Sequence, residues 1–218
     1  MLSSSAACAL LLSSTCDGQL KYVGDNKGAA LISASYSSSP TISTMEADID
    51  ITRDGHFGIG ASYAYAHDPQ INIFGVQAEY AIFRPRDGLG VGANLDAGIA
   101  VTRTTIQPPT YYMSPGAIYT PPPSYLSGRS GSFGAEVYLH NPISDYRVEP
   151  FVQFARTFAS ISTDNSSSIT ALNSLALGSD IILGSTGSNF VVLTFGFITQ
   201  QHTQNAMAFN LSFVHGIK

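Results

Sequence analysis

The sequence has little charge, little cysteine and no tryptophan. Asp, Glu, Lys and Arg make up only 11% of its 218 residues, against about 25% in an ordinary soluble domain. The net charge of −5 argues against a nucleic-acid partner. Both cysteines, Cys8 and Cys16, fall near the N-terminus. Everything after them is without a disulfide framework or a cysteine metal site. Long hydrophobic runs are also missing, since no stretch approaches the roughly 18 apolar residues of a transmembrane helix. Yet 44% of the residues are hydrophobic, so the apolar content is dispersed along the chain. With Trp absent, any aromatic girdle has to be built from the 12 Phe and 11 Tyr.

What is present is alternation. Residues 88–102 read GLGVGANLDAGIAVT. One parity is Leu89, Val91, Ala93, Leu95, Ala97, Ile99 and Val101, and the other is Gly, Asn, Asp, Ala and Thr. A period of two over that length marks a β-strand with one apolar face. Fifteen residues at roughly 3.3 Å each reach about 50 Å, or about 35 Å along the normal at a 45° tilt, enough to cross a bilayer. The same reading yields ten strands: 29–37, 42–53, 56–67, 70–84, 88–102, 131–140, 146–161, 169–184, 190–200 and 206–217. Asp54-Gly55 is a strong hairpin turn between the second and third. Pro150 sits inside a strand, where it predicts a bulge or a locally unpaired position.

Residues 1–16 read as an export signal, with the apolar segment Ala6–Leu12. Leu12–Cys16 loosely resembles a bacterial lipobox, which makes Cys16 a lipidation candidate. Residues 17–27 form an N-terminal periplasmic segment, and 28–217 form one domain. The polar run Thr163–Ser168 reads as a loop. So does the longer segment 105–129, whose prolines oppose a regular strand or helix. Connections after the even-numbered strands are short and those after the odd-numbered strands more varied, and the even count of ten puts both termini on the side of the short turns.

In these features the chain resembles the small bacterial outer-membrane β-barrel proteins, of the porin-like and OmpA-transmembrane-domain-like group. The resemblance lies in the strand pattern over about residues 28–217. The segment Ala206–Phe213 looks like the terminal signal read by the barrel assembly machinery, although the chain runs on through Val214 to Lys218. The resemblance implies an all-β, transmembrane, antiparallel up-and-down barrel of about ten strands, with eight or twelve as alternatives. It also implies an integral place among outer-membrane lipids. A soluble lipocalin-type barrel is the rival, but its exterior would be rich in Lys and Glu. Here the polar parity is mostly small residues and acids, with almost no Lys.

The polar parity carries a sign bias. Glu46, Asp48, Asp50, Glu79, Asp96, Glu136, Glu149 and Asp180 all point inward on this reading, with Arg147 as the clear inward base. Buried carboxylates need water, cations, protons or donors. Two arrangements supply them. One is a narrow, cation-preferring pore. The other is a plugged barrel whose acids bond to Tyr138, Gln77, Asn94, Ser, Thr and Arg147. Asp48 and Asp50 lack the glycine-bearing loop of a calcium site, so neither a metal nor a cofactor is expected.

Catalysis is not expected either. Among His56, His67, His140, His202 and His215 no triad or dyad can be assembled. His140 shares the inner face of its strand with Glu136, and Ser212 and His215 have opposite parities. An outer-membrane hydrolase is the weakest reading. Tyr111, Tyr112, Tyr119 and Tyr125 in the long loop are candidate contacts to a protein or surface polymer. The alternative is that this loop folds over the mouth as a lid or plug.

Overall fold

The computed structural model describes residues 29–39, 42–52, 56–67, 70–85, 89–106, 110–113, 117–140, 146–163, 166–183, 189–200 and 206–217. The proposed export signal, Cys16, the 17–27 segment and the Asp54-Gly55 turn lie outside them. Twelve strands are present among the described residues. They are β1 (Ala29–Ser38), β2 (Ser43–Thr52), β3 (Phe57–Ala66), β4 (Ile71–Phe83), β5 (Gly90–Ile106), β6 (Tyr111–Met113), β7 (Ala117–Tyr119), β8 (Ser124–His140), β9 (Tyr146–Thr163), β10 (Ser166–Leu183), β11 (Asn189–Gln200) and β12 (Ala206–Ile217). All but β6 and β7 close into one antiparallel barrel in the order β1-β12-β11-β10-β9-β8-β5-β4-β3-β2. The expected ten-stranded up-and-down barrel is therefore the observed fold.

The register fixes the barrel's geometry. A path of directly opposed residues leaves Ala29, crosses Thr52, Gly58, Glu79, Asp96, Gly134, Ala155, Ser174 and Ile198, and arrives on β12 at Ala206. The β1–β12 register, which sets Ala30 opposite Ile217, would place Ala29 opposite Lys218, so the accumulated offset is 218 − 206 = 12 residues. Twelve residues of rise over ten strand spacings give a tilt of about 40° and a backbone diameter of about 20 Å.

Alternation decides what faces where. On β5 every outward residue from Val91 to Val101 is apolar, and their partners on β4 and β8 include Val76, Tyr80, Phe133 and Val137. At that tilt the stretch spans about 25 Å, the height of the apolar band on outer-membrane barrels. Phe57, Ile59, Phe74, Val76, Phe133, Phe154, Phe195 and Phe213 are all exposed on this surface. A soluble protein does not expose so continuous an apolar surface. Tyr36, Tyr63, Phe74 and Phe197 flank its upper part, and Tyr63 and Phe74 pack at 5.1 Å between centroids.

Two expectations about loops are corrected. β5 runs on to Ile106 and β8 begins at Ser124, so the segment between them is shorter than 105–129 and carries the hairpin β6–β7. Its prolines do not oppose these strands, because Pro121-Pro122-Pro123 follows β7 and no proline falls within the three-residue strands themselves. Likewise β9 continues to Thr163 and β10 starts at Ser166, so most of the Thr163–Ser168 run is strand. β5, β8, β9 and β10 thus form a tall wall on one side, 17 or 18 residues each, while β1–β3 have 10. Pro150 matches its expectation. It opposes Ser179 on β10, but pairing with β8 stops at Tyr138↔Phe151, one residue earlier.

Candidate functional site: the lumen and the projecting hairpin

The lumen is filled in layers. Near the end that carries the termini, Leu31, Tyr138, Phe151, Ile182, Phe190, Val192 and Val214 pack together. Toward the opposite end, where the 107–123 segment lies, Ile42, Ala64, Ala66, Ile71, Ile73, Leu126, Ile161 and Leu172 form a second apolar layer. Between them lies a polar layer.

Glycine makes the lower apolar layer possible. Gly92, Tyr138, Phe151 and Gly178 oppose one another in one row across β5, β8, β9 and β10. A Cβ on Gly92 would fall within the Tyr138 ring, and one on Gly178 within the Phe151 ring. Each ring lies over a backbone with no side chain, so two large aromatics can lie flat across the lumen. Burying each ring contributes about 1.5–3 kcal/mol. Asp50 leans over Gly60 in the same way, and Asp96 over Gly134, where a Cβ would lie 2.6 Å from its carboxylate. The small-residue parity that the sequence placed inside is occupied by its neighbours' side chains.

All eight acids lie on the inward face, as does Arg147. Their partners differ in part from those expected. Ser33 Oγ donates to Asp48 at 2.6 Å, and Gln77 Nε2 donates to Asp50 at 2.8 Å. Gln153 hydrogen-bonds Asp96. His140 Nδ1 meets Glu149 Oε1 at 2.8 Å, so the contact that the sequence placed nearest His140, Glu136, is not the salt-bridge partner. The β8–β9 register explains this: extended two places past Tyr138↔Phe151, it sets His140 opposite Glu149. Arg147 makes no ion pair among the described residues, which corrects its expected role as the acids' counterion. Asn94 is buried and makes no side-chain hydrogen bond to a described residue.

Accessibility separates two regions. Asp180 and Ser212 are 0% exposed, and Glu136 and Glu149 1%. Glu46, Asp48, Asp50 and Glu79, on β2 and β4, are only half-buried. No group of three or more His, Cys, Asp or Glu able to hold a metal ion occurs among the described residues. Of the other histidines, His215 faces outward and bonds Asn189 at 2.7 Å, on the opposite face from buried Ser212.

The hairpin projects. Tyr111 opposes Tyr119 and Tyr112 opposes Ile118. Residues on both of its faces are exposed, Tyr112 by 85% and Ile118 by 65%. A lid or plug would bury one face, so the lid alternative does not describe this hairpin. Tyr125 is exposed on the outer side of β8.

No family model matches the chain, and no curated protein matches it. Among solved structures it is similar to the N-terminal β-barrel domain of Pseudomonas aeruginosa OprF, with 12% identity, a TM-score of 0.41, and coverage of 88% of this chain and 98% of that one. It is also similar to the outer-membrane protease OmpT of Escherichia coli (8% identity, TM-score 0.43, 88% and 96% coverage). A third is Ail, the attachment invasion locus protein of Yersinia pestis (11%, 0.37, 89% and 100%). The closed register and the apolar outer face are what define the chain as a barrel of the outer-membrane type.

Proposed function

We propose that the chain is an integral bacterial outer-membrane barrel, closed to bulk solutes, that works as a surface interaction module through hairpin β6–β7. One observation carries this reading: a hairpin whose tyrosines are exposed on both faces stands on a barrel whose lumen is closed near the terminal end by packed side chains. A water-filled channel would leave its lining accessible, whereas Asp180, Phe190, Val192, Ser212 and Val214 are wholly inaccessible. Tyrosine supplies broad contact area at low entropic cost, which suits a protein or surface polymer as partner. The hairpin end then faces outside and the termini face the periplasm.

The test is conductance together with surface exposure. The refolded chain in a planar bilayer is expected to show no steady current. On intact cells, added protease is expected to cut within 107–123. Steady cation-selective current that falls on neutralising Glu46, Asp48 and Asp50 would overturn the closed-barrel reading in favour of a narrow channel. The half-buried acids of β2 and β4 are the observation that favours that second reading.

A further inference from the structure

The lumen carries more negative charge than its own bases can offset. Among the described strand residues all eight acids face inward, and the inward bases are Arg147 and His140. Both lie at the terminal end, and His140 is taken by Glu149 at 2.8 Å. The opposed rings of Tyr138 and Phe151 stand between that pair and the next opposed inward pair along the two strands, Glu136 and Gln153. No Lys, Arg or His of the described strands faces the lumen on the far side of the rings.

Two of the acids there come together with two amides. Asn94 on β5 opposes Glu136 on β8, and Glu136 opposes Gln153 on β9. Asp96, the next inward residue of β5, leans its carboxylate over Gly134 and takes a hydrogen bond from Gln153. It thereby turns away from Glu79, its opposite neighbour on β4. Asn94, Asp96, Glu136 and Gln153 are all buried. Asn94 is the odd member. Neither its Oδ1 nor its Nδ2 has a hydrogen-bond partner among the described residues, and both are closed to solvent. The same holds for Oδ2 of Asp96. A buried amide left without a partner is destabilising by about 1–3 kcal/mol. Buried charges persist where they are paired or coordinate a metal.

We infer that Asn94, Asp96, Glu136 and Gln153 form an internal site for one divalent cation of the calcium class, taken up as the barrel closes. The two carboxylates cancel the charge of one such ion. The carbonyl oxygens of Asn94 and Gln153 are neutral ligands of the kind a hard cation also accepts. Calcium suits a dry site better than magnesium, which loses its waters reluctantly and usually keeps several. With two carboxylates and two amides, the donor set differs from a cluster of three acids. It also lies apart from Asp48 and Asp50 on β2, which have Ser33 and Gln77 as donors. A bound ion ties β5, β8 and β9 together at the foot of the tall wall. The inference rests on the closed-barrel reading, because a lumen open to bulk water would solvate these groups instead.

The experiment uses the full chain refolded in neutral detergent micelles with calcium, with magnesium or with neither. Each sample is passed through gel filtration in EDTA, and retained metal is counted by inductively coupled plasma mass spectrometry. Folding is scored separately by the gel shift between unboiled and boiled samples. The wild-type protein is expected to keep about one calcium per chain and to give up magnesium. Calcium at about a hundred times its dissociation constant is expected to raise the folding equilibrium about a hundredfold. Asp96→Asn and Glu136→Gln are expected to lose the calcium and keep the heat shift. Asn94→Leu preserves size and both charges, and is expected to weaken retention about tenfold. Glu149→Gln removes an equally buried acid on the other side of the rings, and is expected to leave retention unchanged. A second readout places the ion. The chain has no tryptophan, and Tyr138, the inward neighbour of Glu136 on β8, is the one tyrosine facing the lumen among the described residues. Terbium taken up in place of calcium is expected to luminesce on tyrosine excitation, and Tyr138→Phe is expected to darken it.

A heat-shifting wild-type chain that leaves the column without calcium would overturn the site, leaving protons to neutralise the acids. Equal retention of magnesium would overturn the dry, calcium-class assignment. Folded Asp96→Asn or Glu136→Gln protein that keeps calcium like the wild type would overturn the location, as would loss of calcium in Glu149→Gln. Should the acid variants not fold, Asn94→Leu and Tyr138→Phe decide the location in their place: unchanged retention in the first and undimmed terbium emission in the second would overturn it. Steady current from the same preparation in a planar bilayer would remove the closed-barrel reading, whereas a silent barrel without calcium removes the site alone.

Discussion

Substituting Gly178 by alanine tests whether the aromatics really depend on bare backbone. The added Cβ would meet the Phe151 ring and lie 2.7 Å from the carbonyl oxygen of Leu193. The ring cannot swing away freely, because it is 5% exposed and Tyr138 occupies the next place in the row. The carbonyl belongs to β11, which is hydrogen-bonded to β10. Overpacking of this kind costs about 1–3 kcal/mol, offset by about 0.5–1 kcal/mol from replacing a strand glycine by alanine.

Gly196 is the matched control. It faces the same lumen from β11, but its nearest neighbours to a new Cβ are Ala208 atoms at 3.9 and 4.0 Å, an ordinary contact. Gly196→Ala is expected to gain about 0.5–1 kcal/mol. The two variants should therefore differ by about 2 kcal/mol, roughly thirtyfold in the folding equilibrium. The assay is urea titration in detergent micelles, with the folded fraction read from the unboiled gel band. Shortening the ring with Phe151→Leu in the Gly178→Ala background should recover part of the loss, leaving a coupling of about 1 kcal/mol. Midpoints that move by equal amounts in the same direction for Gly178→Ala and Gly196→Ala, with no coupling to Phe151, would refute the argument.

Further outcomes follow from the same geometry. The double variant Tyr138→Ala/Phe151→Ala empties the row across the lumen, and it is expected to conduct ions in a planar bilayer where the wild-type chain does not. His140→Leu deprives the buried Glu149 of its 2.8 Å partner, and is expected to cost about 1–3 kcal/mol, seen as a lower urea midpoint. Replacing 107–123 by a short Asn-Gly turn between the paired residues Ile106 and Ser124 is expected to leave the heat shift intact while abolishing binding to any surface partner. A chain so shortened that no longer folds would show that the hairpin belongs to the barrel's core rather than standing apart from it.

The strands were legible in the sequence wherever lipid would touch one face, and only there. Within the apolar band the alternation of Val91 to Val101 against Gly92 to Ala100 leaves no doubt of period or facing. Above the band the outward face turns polar, as at Ser127, Arg129, Ser160 and Ser162, and the apolar residues that pack inward there, Leu126 and Ile161, are too sparse to keep the contrast. Ser124–Ser130 and Ser166–Ser168 are strand in the structure, yet their Ser, Gly and Arg residues carry no period-two signal. That is why only the top of the tall wall, at 124–130 and 166–168, reads as loop in the sequence while the rest of it reads as strand. The inward placement of the acids followed from parity, since parity is set by the backbone alone. Their partners did not. His140 and Glu149 meet because of a register between two strands, and the register depends on how the connecting turn closes. The filling of the lumen was half visible: the glycines announced space, while the occupants, Tyr138 and Phe151, depended on which glycine each would oppose.

The twelve-residue offset of the register bears on how the barrel is made. Most neighbouring pairs join strands that follow one another directly, so each hairpin pays only a short loop closure. The β1–β12 seam, running from Ala30↔Ile217 to Ser38↔Phe209, joins the two ends of the chain and carries the largest closure entropy. Until it zips, β1 and β12 are two open edges, each a template for pairing with another chain. Because β12 is the barrel strand furthest along the sequence from β1, a chain still being delivered to the membrane cannot shield β1 by itself. A period of protected, unsealed existence is thus built into the order in which the strands are strung.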